Sequence, residues 1–333
     1  MPEQVTSRLP ASTIERATRA LSAHFAGVAV ELKGPISVRN NSEIFQALIA
    51  APVRLDAALK ICLVPRTLDA DGPVARDQFD ALDRVNTALS KLGTRFCVPR
   101  PLCLFAELGA FAMAWAQGES LTKKLSHSPV FVQGPAWFEE AGVWLGNFHQ
   151  AGPIRRQRVD LSDRLSALKE VAESPLPSPS FANAVLKLHR CESGLNGVEV
   201  DASWLHGDCK PDNFILGDKN TFGIDIALAH ENPVEYDIAQ FLNNLGLLLS
   251  SPRYLYLWGM QSQFEAAFLR GYLRAGPGVS VPYLNWLRLN FLLCFWHSES
   301  RGRKASVRTW VLSRMFAKTV RNLTGRINLD QTG

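Results

Sequence analysis

The spacing of hydrophobic and polar positions changes character near residue 119. Before that point, short apolar runs alternate with turns, and stretches at 11–24 and 74–90 have the spacing of amphipathic helices. The strands predicted there lie at 28–32, 44–49, 57–64, 102–105 and 110–115. Beyond residue 119 helical spacing dominates. The helices predicted there lie at 136–150, 235–250, 258–274, 281–297 and 305–325.

This pattern predicts an α+β protein of two lobes. A small β-rich lobe covers residues 1–112, a connector covers 113–118, and a larger, mainly helical lobe covers 119–333. A loop rich in Pro and Ser at 174–180 interrupts the larger lobe.

The composition is that of an ordinary globular chain. Of the 333 residues, 47% are apolar and 20% are charged. The six cysteines are scattered without zinc-ligand spacing, and the N-terminus has no signal-peptide pattern. A cytoplasmic protein with reduced thiols is therefore expected. The most apolar run, 281–296, contains Arg288 and is short for a membrane span, which favours a buried helix.

The net charge of +5 is unevenly distributed. From residue 251 onward there are twelve Lys or Arg against three acids, so this segment carries +9 and the rest of the chain −4. A basic segment in the larger lobe argues against a polycationic substrate. The alternative is that these side chains are ordinary solvated helix faces. Basic residues interleaved with Trp286, Trp296 and Trp310 would also suit an anionic membrane surface, whereas no motif supports nucleic-acid binding.

The candidate chemistry is concentrated between residues 204 and 242. Two short apolar runs, 214–216 and 221–225, flank a stretch rich in Gly, Asp and Asn, which predicts a β-hairpin. Because a hairpin brings its outer ends together, Asn213 and Asp225 are expected to face one site.

An amide and a carboxylate at one site are oxygen ligands that suit Mg²⁺ together with water and phosphate oxygens. Asp208 precedes Asn213 by five residues, in a loop made rigid by Pro211, and it can accept a proton from an attacking hydroxyl. Phosphoryl transfer requires positioning, a metal ion and a base near the nucleophile. The segment therefore predicts a phosphoryl-transfer site.

The segment His206-Gly-Asp-Cys-Lys-Pro-Asp-Asn213 resembles the catalytic loop of the protein-kinase-like superfamily, and more closely that of its aminoglycoside phosphotransferase and choline kinase branch. Ile224–Ile226 resembles the metal-binding segment of that branch, and Tyr236–Ala239 resembles its downstream Asp-Leu-Ala helix. Weaker similarities follow in the same order as in the family: Ala58–Lys60 to the lysine strand, Met113–Gly118 to the hinge and Leu145–His149 to a helix end.

The resemblance implies a bilobal kinase fold that uses ATP and Mg²⁺. Asp208 would be the catalytic base, Asn213 and Asp225 the metal ligands, and Lys60 the residue that binds the α- and β-phosphates. The hinge backbone would hold the adenine through Met113, Ala114, Trp115 and Ala116. His206 and Asp237 would brace the catalytic loop. Lys210 would touch the transferred phosphate, as in protein Ser/Thr kinases, unless it is a solvated loop lysine.

Two features depart from the family pattern. The helix at 74–90 offers Gln78, beside Asp77 and Asp80, where a Glu should pair with the lysine, so Lys60 has a shorter acid as partner, a weakened pair, or an exposed position on an edge strand. The turn at 35–42 has few glycines. Its Ser42 would either contact phosphate or, as the favoured reading, be an exposed turn serine.

The favoured function is transfer of the γ-phosphoryl group of ATP to a hydroxyl of a small molecule: a sugar, an aminoglycoside-like or choline-like compound, or another metabolite that is not strongly cationic. A protein kinase is disfavoured because only eleven residues separate Asp225 from Asp237, with no Ala-Pro-Glu motif. The remaining alternative is a regulator or binding module that keeps the fold without catalysis.

Overall fold

The computed structural model describes residues 6–50, 54–127, 130–173, 179–226, 231–300, 316–317 and 319–325. The chain forms two compact units. The first comprises Met1–Gly118 and Gly217–Ala227, and the second comprises Glu119–Leu216 and Leu228–Gly333. The division predicted from the sequence left Gly217–Ala227 in the larger lobe, whereas these residues pack with the first unit.

The first unit is built on a five-stranded antiparallel sheet. With elements numbered along the chain, its strands are β1 (Val30–Arg39), β2 (Ser42–Ile49), β3 (Leu55–Cys62), β5 (Pro101–Phe105) and β6 (Ala110–Ala114). Their order in the sheet is β1-β2-β3-β6-β5. The strand that carries Lys60 is therefore central, so an edge-strand position for this residue is wrong.

The connection between β1 and β2 is tighter than the sequence predicts. Pairing continues to Arg39 opposite Ser42, with an irregularity between Lys33 and Ser37, so most of the expected turn is strand. The two residues outside the ladder are Asn40 and Asn41.

Two helices flank this sheet, as predicted. Helix α1 (Ala11–His24) buries Ala17 and Leu21 in the core formed with the sheet. Helix α2 (Gly72–Lys91) begins at Asp71, whose side chain accepts a hydrogen bond from Val74 N at 3.1 Å. The unit also contains β4 (Phe96–Cys97), which pairs in parallel with β11 (Thr221–Gly223).

The second unit is mainly helical. Its helices are α3 (Leu121–Lys124), α4 (Val130–Ala151), α5 (Ser162–Ala172), α6 (Pro179–Arg190), α7 (Glu192–Leu195), α8 (Glu235–Leu249), α9 (Gln261–Ala275) and α10 (Val281–Ser300). Helices α4 and α9 approach closely at Gly142, where an added Cβ would lie 2.0 Å from the Phe268 carbonyl oxygen. Any larger residue at this position would force the two helices apart.

Short strands in the second unit were missed by the sequence prediction. They are β7 (Glu119–Ser120), β8 (Arg155–Arg158), β9 (Glu199–Trp204) and β12 (Glu231–Pro233). The unit also contains β10 (Phe214–Leu216), which lies where the sequence predicts the first strand of the hairpin. β10 pairs with β7, and β9 lies between β12 and β8. β8 is fully exposed and has no apolar residue, so the alternation that marks a strand is absent from it.

Some predictions fall on parts of the chain that the structure does not describe. The loop at 174–180 and the helix at 305–325 lie largely outside the described residues, as does much of the basic C-terminal segment. No helix within the described residues is long and apolar enough to cross a membrane. The stretch predicted as a buried helix is α10, with Trp286 and Leu287 fully buried.

Candidate active site

The catalytic-loop sequence follows β9 directly and is held by one buried carboxylate. Asp237, in the first turn of α8, accepts hydrogen bonds from the backbone nitrogens of His206 at 2.6 Å and Gly207 at 3.0 Å. Gly207 has a φ of +79°, a conformation that a side chain would strain. The loop backbone therefore bends around Asp237, and this carboxylate fixes its path.

A second side chain on α8 holds the same loop. Gln240 accepts a hydrogen bond from Cys209 N at 2.7 Å and donates one to the Gly207 carbonyl oxygen at 3.3 Å. Gln240 was not predicted from the sequence. Its signal was the spacing: it follows Asp237 by three residues and so lies on the same helix face.

A buried chain of polar groups extends from Asp237 into the core of the second unit. His149 Nε2 lies 3.1 Å from Asp237 Oδ2, and His149 Nδ1 lies 2.9 Å from the Tyr272 hydroxyl. Burial raises the pKa of Tyr272 well above its usual value, so this hydroxyl stays protonated. The His149 carbonyl oxygen also accepts from Ser203 Oγ at 2.6 Å. These contacts tie α4, α8, α9 and β9 to one carboxylate.

His206 is a structural residue of the loop. Its ring is fully buried and lies against Trp144 and Phe214, with ring centroids 6.0 and 6.3 Å away. Its Nδ1 accepts from Asp208 N at 3.4 Å. His206 and Asp237 therefore have the bracing geometry expected from the sequence.

The loop presents a cluster of three polar side chains. Asn213 Nδ2 donates to the Asp208 carbonyl oxygen at 2.7 Å and to Asp208 Oδ2 at 3.1 Å. Lys210 Nζ donates to the same carboxylate oxygen. Two donors on one oxygen orient the Asp208 carboxylate. Lys210 is thus paired with Asp208 and is not a freely solvated loop lysine.

The amide oxygen of Asn213 is available to a ligand. The side chain is buried, and its Oδ1 has no hydrogen-bond partner among the described residues. A buried amide oxygen without a partner is costly unless a ligand satisfies it. This atom fits the metal-ligand role that the sequence predicts, because amide oxygens are among the ligands that Mg²⁺ accepts.

A pocket of about 370 Å³ opens beside this cluster, within the second unit. The described residues that line it are Asp208, Lys210, Gln240, Asn243, Asn244, Leu247, Phe291, Leu292, Cys294 and Phe295. They combine three amides with an apolar and aromatic wall from α10. Asp208 is the single acid among them, and none of the described basic residues beyond position 250 takes part.

In the first unit, Lys60 and Asp225 meet as an ion pair. Lys60 is 6% exposed, and its Nζ lies 2.6 Å from Asp225 Oδ1. A residue that the sequence reasoning did not consider, Arg39, places Nη1 2.5 Å from Asp225 Oδ2. Asp225 has a φ of +61°, a strained region that Asp tolerates better than most residues.

The acids of α2 do not serve as partners of Lys60. Asp77 and Asp80 are exposed. Gln78 instead accepts a hydrogen bond from the Cys62 thiol, with Sγ 3.7 Å from Oε1. Burial raises the pKa of this thiol to about 11, so it remains a donor. Lys60 is therefore paired with Asp225 and not with an acid of α2.

The remaining nucleotide-site candidates have distinct local settings. The backbone N–H groups of Ala114 and Trp115 already donate to the carbonyl oxygens of Arg100 and Asp56, at 2.8 and 3.0 Å. Met113 lies within β6, so Ala116 is the first of the four predicted residues whose N–H has no backbone acceptor in the described part of the chain. Ser42 is 5% exposed at the start of β2, so an exposed turn serine is wrong.

Comparison with solved structures gives the fold. An amicoumacin kinase, solved in complex with AMP-PNP, Ca²⁺ and Ami, matches with a TM-score of 0.57 at 14% identity, covering 97% of this chain and 100% of that one. A choline kinase from Streptococcus pneumoniae matches with a TM-score of 0.55 at 15% identity, covering 94% and 99%. A glucosamine kinase matches with a TM-score of 0.54 at 17% identity, covering 94% and 83%.

Sequence comparison gives the family. No curated protein matches the chain. The profile of the phosphotransferase enzyme family matches residues 66–282, which are more than half of the chain. Both the predicted resemblance and the predicted α+β kinase-like fold are confirmed. The chain belongs to the phosphotransferase enzyme family.

Proposed function

We propose that this phosphotransferase moves the γ-phosphoryl group of ATP, with Mg²⁺, to a hydroxyl of an uncharged small molecule. The observation that carries the proposal is the oriented Asp208 carboxylate at the wall of a pocket large enough for a metabolite. Asp208 is the general base, and it takes the proton of the attacking hydroxyl.

The other residues position the reactants. Lys210 and Asn213 hold the Asp208 carboxylate, and Asp237 and Gln240 hold the backbone on which it stands. Placing the base in advance lowers the barrier because no reorganisation is needed during the reaction.

The residues proposed to bind the nucleotide and the metal are those predicted from the sequence. Asn213 Oδ1 and the Asp225 carboxylate are the proposed Mg²⁺ ligands, and Lys60 is the proposed partner of the α- and β-phosphates. When bound, Mg²⁺ neutralises charge on the phosphates. Met113, Ala114, Trp115 and Ala116 remain the proposed adenine-binding stretch, with the Ala116 N–H, which has no backbone acceptor among the described residues, as its proposed donor. Ser42, buried at the β1–β2 turn, remains a proposed phosphate contact.

The pocket favours an uncharged acceptor with an apolar face. The aromatic wall of Phe291 and Phe295 suits the C–H face of a ring. A polycation would need acids, yet the single acid among the described lining residues is already paired with Lys210. The basic surplus is partly neutralised elsewhere: Arg270 and Arg274 both contact Glu139.

The proposed location is the cytoplasm, where ATP is abundant. None of the six cysteines, all of which the structure describes, forms a disulfide, and reduced thiols are what a reducing compartment would give.

A screen of hydroxyl-bearing metabolites for ATP consumption tests the function. The panel pairs neutral polyols and nucleosides with aminoglycosides and choline, and turnover is expected with neutral compounds. Asp208→Asn should lower turnover by about 10²- to 10⁴-fold. Asp212→Asn is the matched control, because Asp212 is an exposed acid of the same loop.

Full activity in Asp208→Asn would show that the base is misassigned. Preference for polycations would overturn the proposed acceptor class. Nucleotide binding without turnover on any compound would favour a binding module instead.

A further inference from the structure

Arg39 belongs to the part of the chain that the family profile does not cover, since the match begins at residue 66. It ends β1 and faces Ser42 across the turn. Its guanidinium contacts one oxygen of Asp225, while Lys60 contacts the other. Two cations thus hold both oxygens of the carboxylate that is proposed to bind the metal.

The backbone of Arg39 is held in place from the N-terminal segment. Arg8 Nη2 donates to the Arg39 carbonyl oxygen. Arg8 is itself bound to Glu43, which is fully buried on β2 and accepts from Arg8 N at 2.9 Å and from Ser7 Oγ at 2.6 Å. The Arg39 side chain, in contrast, is 39% exposed. The structure therefore combines a fixed backbone with a side chain that has room to move.

Apart from Ser42, the turn offers few donors to phosphate groups. In many phosphate-binding loops, glycines let successive backbone N–H groups surround the anion. Here the ladder of β1 and β2 continues to Arg39 and Ser42, so those backbone groups are committed to the sheet. An arginine side chain can supply the missing donors, because its planar guanidinium binds phosphate oxygens in pairs.

We propose that Arg39 is a nucleotide phosphate-binding residue that occupies Asp225 when no nucleotide is bound. This inference rests on the proposed function. A divalent cation at Asp225 repels a guanidinium on the same carboxylate. When the nucleotide arrives with the metal, the Arg39 guanidinium leaves Asp225 and binds the phosphate groups. Nucleotide binding thus releases Asp225 for the metal.

The proposal predicts opposite effects of one substitution on two ligands. Arg39→Ala should weaken ADP and ATP binding by about 10- to 100-fold, measured by calorimetry in EDTA so that no metal contributes. The same variant should bind Mn²⁺ more tightly than wild type in the absence of nucleotide, measured by electron paramagnetic resonance. Arg39→Lys keeps the positive charge, and its nucleotide and Mn²⁺ affinities should lie between those of wild type and Arg39→Ala.

Lys33→Ala is the matched control. It removes one exposed positive charge from the same strand, away from Asp225, and both affinities should stay at the wild-type values. Thermal unfolding without ligand establishes that each variant is folded.

Equal nucleotide affinity in wild type and Arg39→Ala would overturn the proposal, because the residue would then be a structural ion pair. A parallel loss of nucleotide and Mn²⁺ affinity would overturn it as well. If wild type binds neither ADP nor ATP, the proposed function fails and this inference fails with it.

Discussion

Asp237 in the second unit and Asp225 in the first are held in opposite ways. Asp237 is 1% exposed and accepts from two backbone N–H groups and from His149. Asp225 is partly exposed and lies between the side-chain cations of Lys60 and Arg39. Backbone donors cannot move away without a change of fold, whereas side-chain cations can exchange partners. The second unit thus has a rigid support for the proposed base, and the first has a carboxylate whose partners are side chains that can exchange.

The largest expected effect comes from removing the rigid support. Asp237→Ala leaves the N–H groups of His206 and Gly207 and the ring of His149 without their buried acceptor. We expect a loss of about 3–5 kcal/mol in the free energy of unfolding, together with loss of turnover. Urea unfolding measures the first and ATP consumption the second.

Asp163→Ala is a suitable control because Asp163 is an exposed acid of the same unit. Its free energy of unfolding should change by about 0.5 kcal/mol or less. A loss of less than about 1 kcal/mol in Asp237→Ala would show that the loop is not held as described.

Glu235 is a second buried acid on α8, and burial is the largest influence on its carboxyl group. Glu235 accepts from Ser280 N at 2.7 Å, and burial raises its pKa from 4.5 to about 7. Between those pH values the folded state keeps a proton that the unfolded chain has released. Stability that is fully present below pH 4.5 is therefore lost as pH rises towards 7, by at most about 3 kcal/mol.

Glu235→Gln should remove that pH dependence, because the amide oxygen can still accept from Ser280 and carries no charge. Urea unfolding at pH 5 and pH 8 is the measurement. We expect the variant to be more stable than wild type at pH 8 and similar at pH 5. Parallel pH profiles for the two proteins would contradict the assignment.

The smallest effect is expected at Gln240. Gln240→Ala removes two hydrogen bonds to the loop and should lower the free energy of unfolding by about 1–2 kcal/mol. Because the loop backbone loosens around Asp208, kcat should fall by about tenfold while KM for ATP stays unchanged. Asn244→Ala is the control, because Asn244 lies one turn further along α8 and lines the pocket without binding the loop. It shows the effect of removing a pocket wall alone. A change in KM for the acceptor alone would assign Gln240 to substrate binding.

Site residues that are close together in the sequence could be predicted, whereas those that are far apart could not. Asp208, Lys210 and Asn213 lie within six residues of one another, so their clustering was visible from spacing alone. Arg39 and Asp225 are separated by 186 positions, and no local pattern marks the first as a partner of the second. Gln240 was missed for a different reason: a polar residue on an amphipathic helix is usually solvent-exposed.

The secondary-structure elements likewise differ in whether their local sequence predicts them. Helices with strong periodicity, such as α1, α2 and α8, lie where the sequence predicts them because an apolar stripe must be buried on one side. β8 consists of four exposed polar residues and is a strand only because β9 pairs with it. Its structure is imposed by a neighbour and is not encoded in its own pattern.

The sequence by itself determined the α+β class and the phosphotransferase resemblance, because these depend on hydrophobic spacing and on residue types at short spacing, and the roles within the loop stay predictions. The tertiary structure decided which charges meet. It paired Lys60 with Asp225 instead of a helix acid, buried Ser42, joined Lys210 to Asp208 and brought Arg39 to the proposed metal carboxylate. Such pairings depend on three-dimensional distance and on the loss of solvent, neither of which is contained in a local run of residues.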